Sequence, residues 1–150
     1  MKPARSSKRI GLAIVGAGRI GLIRGEIAAR HPSVDWIGIA ETRADRGKEV
    51  AARIGAEFVT SDHRELLARP EVTAAIIATD EHLHVDPILA AVERKLDLMI
   101  EKPLATELGE SARVLAAIQR SGADAVVGYT QRFRRRFLAA KEKIRTGALG

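Results

Sequence analysis

A doubly wound α/β domain built on a parallel sheet is the fold this sequence predicts. Three observations carry it. Short apolar runs alternate with amphipathic segments along the chain, the pattern of repeated strand–helix crossovers. The connections between them are short, as such crossovers require. The run I-G-L-A-I-V at residues 10–15 breaks directly into G-A-G-R-I-G at residues 16–21, a G-x-G-x-x-G between a strand and a helix. The expected sheet has six strands in the order 3-2-1-4-5-6, joined by right-handed crossovers.

Each element has its own local reason. Residues 10–15 supply the first strand, and the helix after the glycine turn carries Ile20, Ile23, Ile27 and Ala28 at helical spacing. Residues 34–40 read as the second strand, ending on Glu41. Residues 43–54 follow as a helix with Val50, Ala51 and Ile54 on one side, stopped by Gly55. Residues 57–60 make a short third strand. Ser61 or Asp62 caps a short helix through Leu67 and Ala68, which ends before Pro70. The continuous apolar run T-A-A-I-I-A at 73–78 marks a strand covered on both faces. Residues 82–94 read as a helix with Leu83, Ile88, Leu89 and Val92 on its core side and Pro87 in or near its first turns. Residues 96–100 form the fifth strand. Thr106 caps a helix over 107–120, closed by Ser121 and Gly122, and residues 125–129 form the sixth strand. A basic amphipathic segment, 137–145, comes last.

Composition narrows the function classes. A chain of 150 residues has room for one domain with a real core. Aromatics are only 3%, so that core must be built from Ala, Val, Ile and Leu. The absence of cysteine excludes disulfides and thiolate metal sites. No apolar run approaches the roughly 20 residues that span a bilayer. The basic start has no apolar stretch behind it and reads as a tail rather than a signal peptide. A cytoplasmic location, with no membrane partner, is the expectation. The formal charge of +6 comes largely from the tail and from residues 132–143. A solvated charged face is the preferred reading of the second cluster, and nucleic-acid binding is its rival. The expected organisation is a tail over 1–8, a domain over 9–131, and a basic helix with the start of a linker over 132–150.

The motifs that carry chemistry fall at strand ends, where ligands of such sheets sit. Gly16 permits a tight turn, Gly18 leaves room for a pyrophosphate, and Gly21 lets the helix lie close to the strand. The free amides and dipole of the helix start then meet the phosphates. Glu41 lies about 20 residues further on, where a carboxylate can accept from the adenosine ribose and repel a 2′-phosphate. That favours NAD. Arg43, whose guanidinium can take a phosphate or stack on adenine, keeps NADP as the alternative. T-D-E-H-L-H at 79–84 borders the switch point. Asp80 and Glu81 there are either cofactor-edge groups or ordinary acids at a helix start. His82 and His84 do not share a helix face, and no metal site is expected. Lys102, in E-K-P at 101–103, points over the edge where a nicotinamide ring should lie. Hydride transfer at an alcohol carbon needs a proton donor or acceptor at its oxygen. A lysine can relay that proton or polarise a carbonyl, with Glu101 to orient it. Residues 128–133 follow the sixth strand and border either a substrate pocket or the exit from the domain.

Taken in order, G-A-G-R-I-G, Glu41, T-D-E-H-L-H, E-K-P-L-A and G-Y-T-Q-R-F resemble the Gfo/Idh/MocA oxidoreductases over nearly the whole chain. The resemblance implies a Rossmann-type NAD(P)-binding domain and hydride exchange between a nicotinamide cofactor and a hydroxyl carbon of a sugar, cyclitol or similar polyol. It implies that Lys102 is the active-site lysine. It sets Gly16, Gly18, Arg19, Ile20, Gly21, Glu41, Thr79, His84 and Glu101 at cofactor-side positions; Arg43, Asp80 and Lys102 are further cofactor-binding candidates from their places at the strand ends. This chain departs from the family at Asp80-Glu81, where Pro-Asn is usual, and at Arg134 and Arg135, where an acid or Asn and a Pro are common. Family members continue into an α+β domain that completes the substrate pocket, and that domain is absent from this sequence. The expectations are therefore dinucleotide binding, a polyol substrate only when a second domain is supplied, and no turnover by this chain alone. Self-association through the uncovered surface is expected too, and a dinucleotide-binding regulatory or partner subunit is the alternative.

Overall fold

The computed structural model describes residues 9–148; the expected basic tail lies outside them. Strands β1 (Ile10–Val15), β2 (Val34–Ala40), β3 (Phe58–Thr60), β4 (Ala74–Ile77), β5 (Asp97–Ile100) and β6 (Ala125–Val127) form one sheet in the order β3-β2-β1-β4-β5-β6. Every pairing is parallel. The order reverses between β1 and β4, which opens a crevice beyond their carboxyl ends.

Strand alternation assigns the two faces. Leu12 and Ile14 of β1 pack with Val50, Ala51 and Ile54 of helix α2 (Ala44–Ile54). Their neighbours Ala13 and Val15 pack on the other side with Leu66 and Leu67 of α3 (His63–Leu67), Ile88 and Val92 of α4 (Val85–Glu93) and Val114 of α5 (Leu108–Ser121). All buried core hydrophobics among the described residues are Ala, Val, Ile or Leu, as the scarcity of aromatics requires. Each such Val, Leu or Ile contributes roughly 1.5–3 kcal/mol by leaving water. Among the described residues no helix is long and apolar enough to cross a membrane.

Caps close the helices where their chemistry allows. Asp62 caps α3 by accepting from the Arg64 amide at 2.8 Å. Gly55 and Gly122 end α2 and α5 in the left-handed region. Four local expectations are corrected. Helix α1 (Arg19–Ala28) buries Gly21 and Gly25, while Ile23 and Ile27 face outward at 40% and 60% exposure. The reason is proximity: a Cβ on Gly25 would stand 2.8 Å from the Ile54 side chain of α2 and 3.1 Å from the Ile14 side chain of β1, so only a glycine face fits there. Residues 81–83 form a separate 3-10 turn before α4, which carries Leu83 to the surface rather than the core. Thr106 does not cap α5; Glu107 holds that position without a side-chain bond. Finally, β6 stops at Val127, and residues 130–133 form a second 3-10 turn before helix α6 (Arg135–Arg145).

Candidate functional site

The glycine turn follows β1 directly. Gly16 has φ +94°, and a Cβ there would stand 2.5 Å from the Ala78 carbonyl oxygen at the end of β4. At Gly21 a Cβ would stand 1.9 Å from the Gly16 carbonyl oxygen. The protein's own packing demands these two glycines. Gly18 is different, because a Cβ there would meet no atom within 4 Å. It also caps α1 with no side-chain bond, so amides of the first helical turn have no side-chain partner.

Above this turn lies an open cavity of about 540 Å³, within the size range of small-molecule sites. Gly18, Arg19 and Ile20 form one wall, residues 78–82 and His84 the floor, and Glu101 and Lys102 the opposite wall. Thr79 Oγ1 is buried against the floor without a hydrogen-bond partner, a cost of about 1–3 kcal/mol unless a ligand meets it. The His84 ring is 1% exposed and lies between two carbonyl oxygens. Its Nδ1 is 2.8 Å from that of Pro103 and its Nε2 is 3.2 Å from that of Thr79, so the ring braces the loop after β4 against the loop after β5. The Lys102–Pro103 peptide is cis. Lys102 is exposed, and among the described residues no carboxylate pairs with it.

Glu41 and Arg43 stand behind the turn. Glu41 is 8% exposed, and its Oε2 accepts from the Ala17 amide at 2.9 Å. Its Oε1 accepts from the Arg43 amide at 3.1 Å and from Arg43 Nε at 3.3 Å. Burial pushes the Glu41 carboxyl up, but the amides of Arg43 and Ala17 and the Arg43 guanidinium outweigh it and hold it below the usual carboxylate value. Arg46 completes the clamp by donating to the Ala17 carbonyl at 2.8 Å. The acid that reads as a ribose acceptor therefore also fixes the turn. Of roughly four acceptor sites on a carboxylate, three are taken.

Most of the residues singled out from the sequence converge here. Gly18, Arg19, Ile20, Thr79, Asp80, His84, Glu101 and Lys102 line one cavity, with Gly16 and Gly21 packed beneath it. Glu41 and Arg43 join through Ala17 rather than through the cavity wall. One relation differs: the Glu101 carboxylate does not meet Lys102 but accepts two bonds from Arg24 of α1, at 2.9 and 2.7 Å. Arg24 and Arg46 were not legible as parts of this region. Their partners lie 77 and 29 residues away, and no local pattern announces such a pairing.

The donor set fits a dinucleotide: open space above Gly18, uncapped amides at the start of α1, and an orphaned hydroxyl on the floor. A glycine turn feeding a helix start at the switch point of a parallel sheet defines a dinucleotide-binding domain of the Rossmann class. The chain belongs to the Gfo/Idh/MocA oxidoreductase family, whose model, an oxidoreductase family with an NAD-binding Rossmann fold, matches residues 10–129. It is 33% identical over 144 residues to the uncharacterized oxidoreductase YrbE of Bacillus subtilis (strain 168), a match covering 96% of this chain and 42% of YrbE. Myo-inositol 2-dehydrogenase of Thermotoga maritima is 29% identical over 139 residues, covering 93% of this chain and 42% of the enzyme. Among solved structures, levoglucosan dehydrogenase in complex with NADH superposes with a TM-score of 0.87 at 28% identity, covering 95% of this chain and 41% of that one. The chain thus spans about two fifths of the length of these relatives.

Proposed function

We propose that this chain is the cofactor-binding part of an oxidoreductase that moves hydride between NAD and a hydroxyl carbon of a sugar, cyclitol or similar polyol. The single observation that carries the reading is the cavity itself, which runs from the open space over Gly18, past the orphaned Thr79 hydroxyl, to the exposed Lys102. The substrate class is supported by the inositol and levoglucosan dehydrogenases among the relatives.

Bound NAD would supply the hydride acceptor. The first amides of α1 would hold its pyrophosphate, with Arg19 and Ile20 alongside. The Thr79 hydroxyl would find its missing partner on the ligand. The remaining acceptor site of Glu41 would take a ribose hydroxyl, and its charge would oppose a 2′-phosphate. The exposed guanidinium of Arg43 is the route by which NADP would be admitted. The Lys102 ammonium would hold or move the proton at the substrate oxygen. Asp80 adds negative charge at the rim. His84 braces the floor rather than reaching for the ligand, since each ring nitrogen faces a backbone carbonyl oxygen and the ring N–H donates to one of them.

The substrate side is to be completed from outside the described residues. Tyr129, Phe133, Phe137 and Ile144 are exposed, a surface suited to a substrate-bearing domain, to a partner subunit or to a second copy when uncovered. Calorimetric titration with NAD⁺ and NADP⁺ tests the reading. NAD⁺ should bind more tightly, and Glu41→Ala should narrow the gap. No binding of either cofactor overturns the reading, and equal affinities unchanged by the substitution remove Glu41 from the site. Steady-state polyol oxidation by the pure chain would overturn the claim that catalysis needs a second domain.

A further inference from the structure

Glu101 and Lys102 follow the end of β5, and both line the cavity. Glu101 points to α1. There Arg24 Nε and Nη2 both donate to its Oε1, at 2.9 and 2.7 Å, with the two side chains 21% and 12% exposed. Arg24 lies one helical turn beyond Ile20, which lines the cavity. A third element leaves room for this arrangement. A Cβ on Gly128, just past β6, would stand 3.1 Å from each Glu101 oxygen, so the carboxylate occupies the place a side chain at 128 would fill. Glu101 is thus gripped where α1, β5 and the end of β6 meet, and among the described residues its Oε2 accepts no bond.

We infer that Arg24 is a positioning residue of this site: by holding the Glu101 carboxylate against α1, it keeps the Lys102 ammonium free of a carboxylate partner over the cavity. The inference rests on the reading of the cavity as an NAD site. Without the guanidinium, Glu101 is a partly buried carboxylate with no counter-charge, one residue from an exposed ammonium. Such a group is drawn to the lysine, and the wall formed by residues 101 and 102 loses its arrangement. The glycine-turn end of the cavity does not depend on Arg24, because Glu41, Arg43 and Arg46 hold it.

The test compares two ligands on one set of variants by calorimetry. NAD⁺ spans both ends of the cavity, whereas ADP carries the adenosine and both phosphates but no nicotinamide half. Arg24→Met should lower NAD⁺ affinity about tenfold and leave ADP affinity within about twofold. Arg24→Lys, which keeps the charge and one donor, should restore most of the loss. Equal losses for NAD⁺ and ADP would reduce Arg24 to a general structural role and overturn the inference, as would unchanged NAD⁺ affinity. Should Arg24→Met fail to fold, Arg24→Gln, which also leaves the Glu101 carboxylate without its counter-charge, decides: it must show the same selective loss, and unchanged affinity there also overturns it. Failure of the unaltered chain to bind NAD⁺ overturns the reading of the site and the inference with it. Binding that ignores Arg24 overturns the inference alone.

Discussion

The glycine turn and the segment beyond β6 both leave the carboxyl edge of one parallel sheet, the first from the inner strand β1 and the second from the border strand β6, yet their own chain treats them differently. At the turn, Gly16 and Gly21 touch backbone, Ala17 is fully buried, and Glu41 and Arg46 clamp the Ala17 peptide from both sides. From residue 129 to residue 148 every side chain is exposed, including Phe133 at 72% and Ile144 at 66%. The helix α6 is amphipathic in sequence but buries nothing. The turn is held by its own chain, and rigidity before binding would spare a ligand the entropy of ordering it. The outer segment presents apolar side chains that no core among the described residues covers.

Substitutions can break or sharpen that contrast. The largest effect is expected from Gly21→Ala. Its Cβ would collide with the Gly16 carbonyl oxygen at 1.9 Å, and neither backbone can yield without opening the turn. A loss of about 3 kcal/mol or more in urea unfolding is the expected result, and a loss below about 1 kcal/mol would show that the turn is less rigid than described.

Glu41→Gln should come next. The carboxylate accepts three bonds, two of them from backbone amides, and its removal should cost about 1–2 kcal/mol at neutral pH. The sign of the pH dependence follows from the lowered carboxyl value. A group whose folded value lies below its unfolded one, near 4.3, stabilises fully above the unfolded value. That contribution is lost as pH falls through the folded value. Melting of the two proteins at pH 7 and at successively lower pH should show the difference shrinking below about pH 4. A constant difference across that range would mean that charge plays no part in the clamp.

Gly18→Ala separates packing from binding. Its Cβ meets nothing in the protein, so unfolding should shift by less than about 1 kcal/mol. NAD⁺ affinity should nevertheless fall about tenfold or more, because the methyl group takes the space closest to the phosphates. A variant that binds NAD⁺ normally would place the pyrophosphate elsewhere. The smallest effect belongs to the outer segment. Phe137→Ala, at a side chain 46% exposed, should change the stability of this chain by no more than about 0.5 kcal/mol. A larger loss would mean that α6 packs on its own domain after all.

Much of the fold and of the site is legible in the amino-acid sequence. The strand order and the edge at which the cavity opens follow from alternating periodicity and the handedness of crossovers, which act over short stretches of chain. The convergence of Gly18, Thr79 and Lys102 follows because all three lie just past strands that run the same way. What escaped had a different physical origin. Ile23 and Ile27 have the spacing of a core face, yet they look outward because α2 and β1 approach the glycine side of α1 too closely for larger residues. Leu83 left the core because a 3-10 turn shifted its direction before α4 began. Periodicity reports which residues share a face and is silent on which face wins.

The sequence by itself determined a doubly wound parallel sheet, a glycine turn at its switch point, and a lysine at the same edge. These depend on local backbone sterics and on the direction each strand must run. Only the tertiary structure decided who partners whom at that edge. It gave the Glu41 carboxylate to the Ala17 amide, 24 residues away, and the Glu101 carboxylate to Arg24, 77 residues away, rather than to the adjacent Lys102. Such pairings arise when packing brings distant charges within bonding distance in a space that excludes most water, and their strength there depends on geometry that no stretch of sequence carries alone.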